Sequence, residues 1–256
     1  MLDLFADEEP WQEPLAPGAV VLRRFALANA QALLAGIEAV TQVSPLRHMV
    51  TPGGYTMSVA MTNCGEVGWT TDARGYLYSG IDPQTGNPWP AIPDAFATLC
   101  HDAAVAADYA DFRPDACLIN RYVPGAKLSL HQDKDEPDLR APIVSVSLGL
   151  PAVFQFGGLK RNDPIQRLML EHGDVVVWGG ASRLFYHGIL PDNQARYAEE
   201  PIVRIIPCTS SGRRTNAMVI LRTSLVSPAS SVALPSFSIR STGVSSMRLI
   251  NSPRRR

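Results

Sequence analysis

No apolar run in the sequence approaches the ~20 residues that a membrane-spanning helix needs. A basic, apolar leader is also missing: the opening MLDLFADEEPWQEP is acidic, unlike a secretory signal, so the expected compartment is the cytoplasm. Close cysteine pairs are absent too. Cys64, Cys100, Cys117 and Cys208 contain no C-x-x-C, which argues against a zinc cage or a disulfide framework and leaves ordinary buried thiols. Nor is there a general basic excess, since 23 basic and 24 acidic residues leave a net charge of −1. A protein that wraps a long duplex needs a basic face, so any contact with nucleic acid here is local and carried by a few residues.

A last absence divides the chain. All 24 acidic residues lie at or before Glu200, and nine of the 23 basic ones follow it. Residues 207–256 hold 16 Ser/Thr and eight Arg but no Asp, Glu or Lys. Evolved surfaces mix charges of both signs, so residues 201–256 read as an aberrant tail, disordered or poorly packed.

What is present begins with helices. In ALANAQALLAGIEAV (Ala26 to Val40) the residues Ala30, Leu33, Leu34 and Ile37 recur at helical spacing. PDAFATLCHDAAVAADY (Pro93 to Tyr109) repeats the pattern behind a Pro/Asp start. From Ala116 the period changes to short strands: ACLINRY, VSVSLGL, AVFQF, QRLMLE, DVVVW and LFYHGI, separated by Gly/Pro/Asn turns. In VSVSLGL the apolar Val144, Val146, Leu148 and Leu150 alternate with Ser145, Ser147 and Gly149, the mark of a sheet with one packed face. Such strands with no helices between them predict an antiparallel sandwich or barrel, and a jelly roll with helices packed on it is the economical form.

The sheet pattern breaks at LSLHQDKDE (Leu128 to Glu136). Residues i and i+2 of a strand face one side, so His131 and Asp133 aim an imidazole and a carboxylate at one point while Gln132 faces away. A metal needs a third ligand, and the remaining histidines are His48, His101, His172 and His187. His48 and His101 read as solvated or packed side chains; His172 falls in the turn EHGD, and His187 in the strand-like LFYHGI. Two histidines and a carboxylate on one face of an octahedron leave three positions open, the arrangement of non-haem Fe(II) oxygenases.

From Met1 to about Leu190 the chain resembles the AlkB family of iron- and 2-oxoglutarate-dependent DNA dealkylation dioxygenases, its bacterial members above all. The likeness is carried by MVTPGGYTMSVAMTNCG, GWTT, GYLYS, PDACLINRY, PGAKLSLHQDKDEPDLRAPIVSVSLGLPAVFQFGGLKRNDP, LEHGDVVVWGG and SRLFYHGI. It implies a mainly β, α+β fold: a double-stranded β-helix (jelly roll) over residues 115–190, N-terminal helices packed on it, and a nucleotide-recognition lid over residues 45–90, all in one domain of residues 1–200.

The resemblance also implies roles. His131, Asp133 and His187 are the Fe(II) ligands; Asn120, Arg121 and Tyr122 belong to the 2-oxoglutarate site, with O₂ as the second cosubstrate. Trp69, Tyr76, Leu77, Tyr78, Asp135 and Arg161 are on the substrate side. The implied reaction hydroxylates the N-alkyl carbon of a base such as 1-methyladenine or 3-methylcytosine, releasing formaldehyde, succinate and CO₂. The implied partner is alkylated single-stranded DNA, with duplex DNA and RNA open, and the protein is expected to act as a monomer without a membrane or an obligate protein partner.

The likeness stops after His187. The family continues with a last strand of the type Arg-Tyr-Asn-Leu-Thr-Phe-Arg, whose arginines clamp the cosubstrate carboxylates. Here the region reads PDNQARYAEEPIVRIIPCTSSGRRTNAMVIL, where Arg204 is followed by Ile205 and Ile206 and the second place holds Ser210. A shift of reading frame between Pro191 and Pro201 would account for the change of composition, with a natural divergent tail as the alternative. The expected consequences are an unpaired sheet edge and a weakened hold on 2-oxoglutarate, because an arginine fork is the natural partner of a buried carboxylate. Related hydroxylases of other substrates, and a damaged-base binder without turnover, remain open at this point.

Overall fold

The computed structural model describes residues 9–191, apart from 73, 124 and 137, together with one strand at Asn216–Arg222. The chain opens with a hairpin of β1 (Trp11–Ala16) and β2 (Ala19–Arg23), followed by α1 (Ala30–Val43). Next come β3 (Arg47–Val50), β4 (Thr56–Gly65), a separate ribbon of β5 (Gly68–Asp72) and β6 (Gly75–Ser79), and α2 (Asp94–Ala106). The strand-rich part holds β7 (Ala116–Tyr122), β8 (Leu128–His131), β9 (Ile143–Leu148), β10 (Ala152–Phe156), β11 (Gln166–Leu170), β12 (Val175–Trp178), β13 (His187–Ile189) and β14 (Asn216–Arg222). Pairing is antiparallel, in a larger sheet ordered β1-β2-β12-β9-β14-β7-β4-β3 and a smaller one ordered β11-β10-β13-β8.

The larger sheet is buried on both faces, because its strands place alternate residues in two different cores. Cys117 and Ile119, Val144, Val146 and Leu148, and Val175 and Val177 pack against α1 and α2, which contribute Leu33, Val40, Phe96, Leu99 and Ala103. On the other face Leu118, Tyr122, Ile143, Val176 and Trp178 meet Phe154, Phe156, Leu170 and Ile189 of the smaller sheet. Each fully buried side chain of this size stabilises the fold by roughly 1.5–3 kcal/mol. Two sheets closed on an apolar filling, with helices outside one of them, form the expected jelly roll.

The structure departs from the sequence-based expectation in four places. The Ser face of VSVSLGL does not meet solvent, since Ser145 and Ser147 are buried under the smaller sheet, giving the roll a polar patch in its interior. Leu150 lies beyond the end of β9 and is only half-buried. Within the expected lid, β3 and β4 belong to the larger sheet, and β4 pairs along β7; the independent part is the β5–β6 ribbon. Finally, the place beside β7 is not left open. Asn216–Arg222 fills it, pairing with β7 from Asn216↔Tyr122 to Arg222↔Ala116 and with β9 from Ala217↔Leu148 to Leu221↔Val144. The expectation of an unpaired edge fails because NAMVILR supplies apolar residues at strand spacing wherever it lies in the chain. Arg204 and the remainder of the tail lie outside the described residues.

Candidate metal centre

β8 and β13 are neighbours in the smaller sheet, and their register sets His131 directly opposite His187. Close approach of the two backbones depends on Gly188, where a Cβ would stand 2.6 Å from the Leu128 carbonyl oxygen. The chain leaves β8 just after His131, and Asp133 brings its carboxylate to the Nε2 atoms of both rings. Its Oδ1 is 3.5 Å from Nε2 of His131, and its Oδ2 is 3.2 Å from Nε2 of His187. One ligand atom from each residue fits within 4.8 Å of the others.

The surrounding bonds aim these atoms. Nδ1–H of His131 donates to the Ser129 carbonyl at 2.8 Å, and Nδ1–H of His187 to the Phe185 carbonyl at 3.1 Å. A carbonyl only accepts, so both Nδ1 atoms carry the proton and both Nε2 lone pairs are left for a metal. Burial holds the His187 imidazole below the usual histidine value; nearby His131 pushes the same way and Asp133 opposes both. A neutral ring is what ligation requires. Gln132 lies just past the end of β8, where its amide donates to the Leu184 carbonyl at 2.6 Å and the residue borders the same cavity as His131 and Asp133. His172 stands apart from the triad, where its Nδ1 accepts the Gly149 N–H at 2.9 Å and fixes a turn.

Asp133 and His187 are buried, whereas His131 borders a cavity of about 650 Å³. The cavity reaches from Leu118, His131 and Asp133 to Trp69 and Tyr76 on the ribbon, with Lys127 and Asp135 also on its wall. Trp69 and Tyr76 stack at 5.2 Å between ring centroids and 15° between planes. β4 holds the ribbon: the Asn63 side chain donates to the Trp69 carbonyl and accepts the Trp69 N–H, both at 3.0 Å.

A model described as the 2OG-Fe(II) oxygenase superfamily matches residues 18–219. The alpha-ketoglutarate-dependent dioxygenase AlkB of Escherichia coli (strain K12) is 77% identical over 191 residues, which cover 75% of this chain and 88% of the relative. The chain belongs to the AlkB family of 2OG-Fe(II) oxygenases. A relative in Arabidopsis thaliana, named DNA N(6)-methyladenine demethylase ALKBH1A, is 37% identical over 123 residues, 47% of this chain and 36% of its own. The solved structure of OsALKBH1 matches with a TM-score of 0.66 and 28% identity, covering 83% of this chain and 100% of that one.

As an AlkB-family dioxygenase the protein uses Fe(II), 2-oxoglutarate and O₂, and its residues fit the metal: two imidazoles and a carboxylate, correctly tautomerised, with an open side toward a cavity. When bound, iron and 2-oxoglutarate supply the oxidising chemistry; the protein supplies ligand geometry and a shielded space. Cosubstrate residues fit in part. Asn120 is fully buried on β7, and neither its amide oxygen nor its nitrogen has a partner among the described residues. Unpaired buried amides are costly, so this one points to a polar ligand. Tyr122 lies on the same face of β7 and is buried with it. Arg121 does not join them: it is exposed, on the opposite face of the strand.

Of the substrate-side residues, Trp69, Tyr76 and Asp135 line the cavity. Leu77, between Tyr76 and Tyr78, takes the other face of the ribbon. Arg161 sits in the loop after β10, donating to the Leu130 carbonyl at 2.9 Å with its guanidinium over Tyr186. The Tyr78 hydroxyl donates to Glu136 at 2.9 Å. Sequence reasoning passed over Asn63, Glu136 and Arg183. An amide in a strand, an acid in a charged run and an arginine after a glycine turn all read as surface.

Proposed function

We propose that this protein removes alkyl groups from the Watson–Crick edge of nucleobases, of the 1-methyladenine and 3-methylcytosine type, in single-stranded DNA and also RNA. The observation that carries the reading is one cavity with the Trp69–Tyr76 pair on its wall together with His131 and Asp133, which meet the buried His187 to complete the triad. A lesion on the pairing edge is reached only when the base leaves the stack, which calls for an aromatic face to receive it. Asp135, on the same wall, is an acceptor for the exocyclic amino group of adenine or cytosine. The name of the Arabidopsis relative supports the coarser class, a methylated base in DNA, with the methyl group on a different nitrogen of adenine. This reading makes the protein a cytoplasmic monomer that releases formaldehyde, succinate and CO₂.

The closing strand qualifies the rate. β14 reads Asn-Ala-Met-Val-Ile-Leu-Arg, so of two arginine places six apart one is Asn216 and the other Arg222, and Met218 stands opposite Asn120. Such a strand supports a weaker hold on the 2-oxoglutarate carboxylates than an arginine at both ends. A frameshift upstream explains the change, and sequencing the coding DNA for an alternate frame tests it. The function itself is tested by formaldehyde release from a methylated oligonucleotide with and without added 2-oxoglutarate. No release at saturating Fe(II) and 2-oxoglutarate would refute dealkylation, and base binding without release would make the protein a damaged-base binder.

A further inference from the structure

Arg183 is 3% exposed, and it follows the short helical turn at Gly180–Ser182. Its guanidinium is divided among three partners. Nη1 donates to the Asp133 main-chain carbonyl at 2.6 Å, Nε donates to the Ala141 carbonyl at 2.9 Å, and Nη2 lies 3.4 Å from Oε2 of Glu136. Glu136 is itself buried, and its other oxygen, Oε1, accepts the Tyr78 hydroxyl. Tyr78 stands on β6, directly opposite Trp69 and two residues from Tyr76. A path of three contacts therefore runs from the backbone of a metal ligand to the aromatic ribbon.

We propose that Arg183 is a positioning residue which, through Glu136 and Tyr78, couples metal binding at Asp133 to the seating of the β5–β6 ribbon over the cavity. The planar guanidinium fork fixes its acceptors relative to one another, which a flexible ammonium does not do. Asp133 lies beyond the end of β8, and the bond from Arg183 ties its main-chain carbonyl. The ribbon has the complementary need. A two-stranded hairpin is marginal alone, and this one is fastened at its base by Asn63 and by the Trp89 indole on the Ser79 carbonyl. Tyr78 adds a tie to Glu136, and through it to Arg183. A ligand that draws the ribbon down orders Glu136, Arg183 and Asp133, and metal that orders Asp133 stabilises the seated ribbon. Linkage makes the two effects equal in size.

The test rests partly on the proposed function, because its second arm uses a damaged base. The full-length chain is titrated with Mn(II) by electron paramagnetic resonance. It is also titrated with a single-stranded oligonucleotide carrying one 1-methyladenine, by anisotropy, with and without Mn(II). The native chain is expected to bind the oligonucleotide more tightly with Mn(II). Arg183→Lys keeps the charge but loses the fork, and is expected to weaken Mn(II) by about tenfold or more, the usual effect of removing a group that orients a ligand. Tyr78→Phe keeps the Arg183–Glu136 pair, and is expected to abolish the Mn(II) dependence of oligonucleotide binding. If Arg183→Lys does not fold, as judged by circular dichroism, Glu136→Gln takes its place with the same expected loss of coupling. Native Mn(II) affinity in folded Arg183→Lys, or native coupling in Tyr78→Phe or Glu136→Gln, overturns the inference. If the native chain ignores the methylated base, the proposed function fails, and the Mn(II) arm still decides the role of Arg183.

Discussion

Replacing Trp69 by alanine tests the link between the ribbon and the substrate most directly. The Asn63 amide grips the Trp69 backbone and not its ring, so the ribbon keeps its base when the indole is removed. A base stacked on an aromatic side chain contributes about 1–3 kcal/mol. Against this stands the Trp69–Tyr76 stack of the free protein, a pair of the kind that contributes about 0.5–1.5 kcal/mol and that a base entering between the rings must separate. The difference predicts that Trp69→Ala weakens binding of a methylated single-stranded oligonucleotide by about 0.5–1.5 kcal/mol, or roughly 2- to 12-fold. Trp69→Phe should recover most of the loss. The assay is fluorescence anisotropy with Mn(II) present, at several salt concentrations. Because no charge is removed, the slope of affinity against salt should stay that of the native chain. Unaltered affinity in Trp69→Ala, or a loss accompanied by an equal loss of Mn(II) affinity, would refute the assignment of the indole as a base platform.

Three further outcomes are expected. Gly188→Ala drives a methyl group into the Leu128 carbonyl, separates β8 from β13, and should lower Mn(II) affinity by about tenfold with the ligands intact. Calorimetry should find 2-oxoglutarate bound more weakly than by the Escherichia coli relative while metal affinity is retained; equal cosubstrate affinity would refute the argument from β14. Burial alone would raise the Asp82 carboxyl, but bonds from Arg47, Ser44 and the Gln84 N–H outweigh it and hold it below the usual value. Its contribution to stability is therefore present above about pH 4, the unfolded value, and is lost as pH falls through the lower folded value. Asp82→Asn breaks a buried pair with Arg47 and should lower stability by about 3 kcal/mol at neutral pH, with a smaller loss in acid, as measured by urea denaturation.

Much of the chemistry is legible in the sequence alone. The i, i+2 spacing of His131 and Asp133 is a local property of extended backbone, and the two side chains meet even though Asp133 lies just past the end of β8. The α2 segment and strands β7, β10 and β12 fall where their apolar periods put them. Arg121 shows the limit of carrying a motif over whole: INRY places Asn120 and Tyr122 on one face, and the same alternation turns Arg121 away from them.

The remainder depends on which segments become neighbours, and no local period records that. VSVSLGL announces two faces, but only the second sheet makes its serine face an interior one. His187 becomes a ligand because β13 lies beside β8 in one register, and Arg183 reaches the site because a turn folds under the segment that carries Asp133 and Glu136. The place next to β7 is filled by a strand from the tail, whose continuous apolar run suits the gap although its sequence is not the family's. Side-chain alternation is set by the residues of one strand, whereas neighbourhood is set by long-range burial, and the metal centre exists only where the two coincide.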